Sequence, residues 1–60
     1  MTSLGSILII DDEDGLRNTL SRILHKIGCV VVGAATGNEA LRLLSLSPYD
    51  LVFLDLRLPD

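Results

Sequence analysis

Four apolar residues run without interruption from Ile7 to Ile10 and stop at the acidic pair Asp11-Asp12. A second run, Leu51-Val52-Phe53-Leu54, stops in the same way at Asp55. Continuous apolar stretches of this length predict strands covered on both faces, as in a parallel sheet. Between them the period changes. Leu16, Leu20, Ile23, Leu24 and Ile27 recur at helical spacing and predict one inward stripe. Asp14 is expected as the N-cap of that helix, Lys26 lies in its last turn, and Gly28 is expected as the left-handed residue that ends it. Val30-Val31-Val32 predicts a second strand, loosened by Gly33. Thr36-Gly37-Asn38-Glu39 has the capping-box pattern and opens a second helix, which turns Ala40, Leu41, Leu43 and Leu44 inward and closes before Pro48. The third strand is expected over 51–55. The order β-α-β-α-β with short connections predicts a parallel sheet with right-handed crossovers.

A carboxylate at the tip of a buried strand is costly unless it is paired or bound to a metal. The two acidic strand ends are therefore the functional signal. In an open parallel sheet, ligands bind beyond the carboxyl ends of the strands, where the strand order reverses. If the first strand is central, its neighbours lie about 4.8 Å to either side. Asp11, Asp12 and Asp55 then converge within reach of one metal ion. Three crowded carboxylates repel one another unless a cation neutralises them. All-oxygen ligation points to Mg²⁺, which takes one or two carboxylates and keeps several waters. Read singly, each aspartate would cap a helix or begin a turn; the two matching strand ends together argue for a site.

Composition narrows the rest. Sixty residues make at most one small domain, and a chain of that size buries only about 60% of its extended surface. With 48% hydrophobic residues and a mean hydropathy of +0.48, the chain has faces meant to be covered by something else. One cysteine excludes a disulfide framework, and Cys29 reads as a small buried hydrophobe in a reducing, cytoplasmic setting. His25 falls opposite the apolar stripe, beside Arg22 and Lys26, and reads as a solvated surface residue. The net charge of −3 and pI near 4.7 argue against nucleic-acid contact by this segment. No apolar run approaches the roughly 20 residues of a membrane span. Residues 1–5 lack the basic start of a signal peptide and are expected to be a disordered leader or tag, with the domain over 6–60.

Three stretches together resemble the N-terminal half of a response-regulator receiver domain, the phosphoacceptor module of two-component signalling. They are Ile7-Leu8-Ile9-Ile10-Asp11-Asp12-Glu13, the helix start Thr36-Gly37-Asn38-Glu39-Ala40-Leu41, and Tyr49-Asp50-Leu51-Val52-Phe53-Leu54-Asp55-Leu56-Arg57-Leu58-Pro59. The resemblance implies half of a flavodoxin-like, doubly wound parallel sheet in strand order 2-1-3. It implies that Asp55 accepts a phosphoryl group from a sensor histidine kinase or phosphotransfer protein, without turnover as an enzyme. Asp12 would ligate Mg²⁺ (or Mn²⁺) directly, Asp11 mainly through a water, Asp55 itself would be a ligand, and the Arg57 carbonyl would be the backbone ligand. A complete receiver continues through two further β-α units that supply a hydroxyl residue and a lysine near the phosphoryl group. This sequence holds only Lys26, far along a helix. It is therefore expected to bind Mg²⁺ weakly and to accept phosphate poorly on its own.

Two other functions fit parts of the pattern. A haloacid-dehalogenase-type phosphohydrolase also places a nucleophilic aspartate after a buried strand, but it expects a second acid two residues on, where Arg57 stands. A chemically silent interaction module would use the acidic remnant only as a dimer surface. In strand order 2-1-3 the third strand is a bare apolar edge, which predicts a homo-oligomer built around it.

Overall fold

The computed structural model describes residues 4–55. Strand β1 spans Gly5–Ile10, helix α1 Asp14–Lys26, strand β2 Cys29–Ala34, helix α2 Gly37–Leu46 and strand β3 Leu51–Leu54. The three strands form one parallel sheet in the order β2-β1-β3. Both registers run through β1: Leu8 lies between Val32 and Val52, and Ile10 between Ala34 and Leu54. Because β1 is paired on both sides, its apolar run is the core, with Leu8 and Ile9 essentially inaccessible to solvent.

Side chains alternate across β1 and serve two layers. Leu8 and Ile10 pack with Ala34 and with Ala40 of α2, and Val32, Leu43 and Tyr49 close around them. On the other face Ile9 meets Leu16 and Leu20 of α1 in a groove that continues to Phe53. One helix thus covers each face.

The helix ends follow local chemistry. Thr36 caps α2 by accepting the Glu39 N–H at 3.1 Å. Glu39 reaches back to the Ala35 N–H at 3.0 Å, one residue before the position that a capping box would choose. Gly28 has φ +103°, a left-handed conformation that a side chain would strain, and its N–H closes the end of α1 on the His25 carbonyl. At the amino edge of the sheet Asp50 ties β3 to β1: its carboxylate accepts the Ser6 N–H at 2.8 Å, and its own N–H donates to the Ser6 carbonyl. Gly5 is already the first residue of β1, and the Leu4 N–H donates to the Gly28 carbonyl, so these two positions of the expected leader are part of the ordered sheet end.

Three expectations about burial are corrected. Of the α1 stripe, only Leu20 and Leu24 are half-buried; Leu16, Ile23 and Ile27 are exposed. The helix lies over β1 and β2 and not over β3, so part of its apolar stripe overhangs open sheet. Leu41 and Leu44, expected inward, are 68% and 41% exposed, because α2 turns Ala40 and Leu43 to the core. Strand β3, expected to be covered on both faces, is an exposed edge from Leu51 to Leu54. Cys29 is half-buried with a free thiol, and His25 is exposed as expected. No helix among the described residues is long and apolar enough to cross a membrane.

Candidate functional site

The strand ladders run one residue past the apolar stretches, and this brings the acids together. The Asp11 N–H donates to the Ala34 carbonyl at 3.0 Å, so Asp11 is fixed at the end of β1 against β2. The Asp55 N–H donates to the Ile10 carbonyl at 2.9 Å, which fixes Asp55 against the same strand from the other side. Asp11 is buried, Asp55 half-buried and Asp12 exposed. Each offers a carboxylate oxygen, and the three oxygens all lie within 4.8 Å of one another. The convergence expected from strand order is the one observed.

The turn from β1 into α1 is built on Asp11. Its Oδ1 accepts the Glu13 N–H at 2.9 Å, an Asx-type turn that bends the chain away from the sheet. This displaces the expected cap. Glu13, not Asp14, is the N-cap residue, and it makes no side-chain capping bond. Asp14 is instead the first helical residue, and its carboxylate pairs with the Arg17 guanidinium. Arg17 also donates from Nη1 to the Asp11 carbonyl at 2.8 Å. No reading of the acids alone finds Arg17; the only sequence signal is a cation three residues after an acid on a helix.

A family model for the response regulator receiver domain matches residues 7–60. The chain belongs to this family. The match begins inside β1, at Ile7, and takes in the rest of the described strands and helices and all three clustered aspartates. Among curated relatives, this receiver is 45% identical over 53 residues to a probable transcriptional regulator of Cyanophora paradoxa, covering 88% of this chain and 22% of the relative. It is 40% identical over 53 residues to sporulation initiation phosphotransferase F of Bacillus subtilis, covering 88% and 43%. It is 37% identical over 60 residues to hybrid signal transduction histidine kinase L of Dictyostelium discoideum, covering 95% and 4%. The receiver thus spans less than half the length of each of these relatives. No solved structure matches it.

The donor set suits a hard divalent cation. Three carboxylate oxygens from two adjacent strand ends provide oxygen ligation on one side and leave room for waters, as Mg²⁺ requires. The Arg57 carbonyl, expected as the backbone ligand, lies outside the described residues. Leu16, Leu20, Phe53 and Leu54 line an open apolar groove beside Asp11 and Asp55.

Proposed function

We propose that this receiver takes a phosphoryl group onto Asp55 from a phosphorylated histidine of a sensor kinase or phosphotransfer protein, with Mg²⁺ (or Mn²⁺) held by Asp11, Asp12 and Asp55. The observation that supports this reading is the gathering of three carboxylate oxygens within 4.8 Å at the ends of β1 and β3. Two of the relatives are named for histidine-kinase or phosphotransfer activity, which fits donors of that kind. An Asp55 carboxylate oxygen forms the new O–P bond as the P–N bond to the donor imidazole breaks. The leaving nitrogen keeps the electron pair, and because the donor's other ring nitrogen carries a proton the ring departs as neutral imidazole. The backbone bond from Asp55 to Ile10 holds the nucleophile in place, so little needs to move. When bound, Mg²⁺ offsets the charge of the carboxylates and of the incoming phosphoryl oxygens. The receiver ends the step carrying the phosphoryl group, so it acts as a substrate of the transfer and not as a turnover enzyme. An acidic chain of net charge −3 suits a protein donor and not nucleic acid or an anionic membrane.

The test is labelling by a small phosphodonor with Mg²⁺ and with the cation removed by a chelator. Labelling should fall to background on chelation and return when Mg²⁺ is restored in excess. Equal labelling in both conditions would remove the cation from the proposal.

The β3 edge supports a second part of the reading, which concerns the 60-residue chain by itself. Leu51, Val52, Phe53 and Leu54 are between 41% and 56% exposed and present one side of an unfilled ladder. An apolar parallel edge of this kind promotes pairing with another chain. The isolated chain should therefore associate into homodimers or larger species through β3. Sedimentation across a concentration series is expected to show mass rising above the monomer, with a melt that shifts with concentration. A cooperative, concentration-independent monomer at micromolar levels would contradict this.

A further inference from the structure

Asp11 is held from three directions, and the third comes from Arg17. Its N–H goes to Ala34, and its carboxylate takes the Glu13 N–H. Its carbonyl takes Arg17 Nη1 at 2.8 Å, while Nη2 of the same guanidinium holds the Asp14 carboxylate. The Arg17 side chain is only 18% exposed, against 79% for Asp14. The Asp14 contact alone would be an ordinary surface pair of little consequence. The Asp11 contact is different, because a charge-assisted bond to the backbone fixes the plane from which the Asp11 carboxylate projects.

Arg17 reaches that carbonyl by crossing β2 where there is no side chain. A Cβ on Gly33 would lie 3.0 Å from Arg17 Cδ and 3.3 Å from its Cγ and Nε. Gly33 pairs with Ile9 and directly precedes Ala34, whose carbonyl holds the Asp11 N–H. One short segment of β2 thus anchors the Asp11 backbone directly and supports the arginine that anchors it again. Sequence patterning explains neither residue: Gly33 interrupts an apolar strand, and Arg17 is a cation in α1 just after a run of acids.

We propose that Arg17, laid over Gly33, is a positioning residue for the cation site, setting the Asp11 carboxylate through the turn of residues 11–14. This rests on the reading of the three acids as a Mg²⁺ site. Outer partners of a ligating carboxylate commonly change metal affinity by about 10- to 100-fold when removed.

The test compares the full chain with its Arg17→Met, Arg17→Lys, Gly33→Ala and Arg17→Met/Gly33→Ala variants. Mg²⁺ affinity is measured by titration, and hydrogen exchange of the Glu13 amide is measured without metal. Arg17→Met should weaken Mg²⁺ binding about tenfold and speed Glu13 exchange, with Arg17→Lys intermediate in both. Gly33→Ala should do the same with the arginine still present, because the methyl group displaces its stem. The double variant should be no worse than either single one, since both changes remove one contact. Additive losses in the double variant, or Glu13 exchange unchanged in the single variants, would overturn the proposal. If the unaltered chain binds no Mg²⁺, the site reading fails, and the exchange measurement still decides the role of Arg17. Should one variant not fold, either of the remaining single variants carries both measurements.

Discussion

Asp55→Asn should abolish phosphoryl acceptance while leaving the fold intact. The amide keeps the shape of the carboxylate but not its nucleophilic charge, because the nitrogen lone pair is delocalised and the oxygen is neutral. The backbone bond from residue 55 to Ile10 does not involve the side chain, so the carboxyl end of β3 stays in place. Removing one of three crowded negative charges also relieves repulsion at the strand ends. Labelling by a small phosphodonor should fall by at least about a thousandfold, since removal of a catalytic nucleophile can cost up to about a millionfold. Circular dichroism and the melting transition should be unchanged or slightly improved. Labelling at an unaltered rate would show that another group is the acceptor.

The second large effect is on the fold. Leu8 is fully buried at the centre of β1, the one strand among the described residues that is paired on both sides, and its side chain belongs to the cluster with Ile10, Ala34 and Ala40. Leu8→Ala should cost about 2–5 kcal/mol, from lost transfer energy and the cavity that remains. A core of this size supplies only about 3–5 kcal/mol. The change should therefore leave the isolated chain mostly unfolded, with loss of the helical circular dichroism signal at a urea concentration well below that of the unaltered protein. A drop of less than about 1 kcal/mol would mean that β1 is not the centre of the stability. The same truncation at Leu41, which is 68% exposed, should be close to neutral.

The element order was legible because each element has its own period. The continuous run of Ile7 to Ile10 and the helical spacing from Leu16 to Ile27 do not compete, and β1 and α1 form where those patterns lie. Strand β2 runs to Ala34, beyond Val32, because pairing with Ile9 and Ile10 recruits Gly33 and Ala34 whatever their intrinsic preference. The acids were legible for a related reason: charge at the ends of two apolar runs stands out from the pattern, and pairing of β3 with β1 brings the three carboxylates together. Burial was less legible. Apolar content marks Leu51 to Leu54 as residues that favour cover, but a pattern cannot say whether the covering element is present, and here these residues form an edge. The role of Arg17 was missed because its bond to Asp11 runs to a backbone carbonyl, and the true cap at Glu13 because that residue starts α1 without a side-chain capping bond; no residue pattern displays either.

The central claim is that the acceptor is Asp55, beside Asp11 and Asp12. It is tested most directly by treating the protein with a small phosphodonor and Mg²⁺, digesting it, and locating the added phosphoryl group by tandem mass spectrometry. A single acyl-phosphate adduct on Asp55 is expected, cleaved by hydroxylamine and absent when Mg²⁺ is chelated. An adduct on Asp11, Asp12 or His25, or none on Asp55 in folded protein with Mg²⁺ present, would contradict the account.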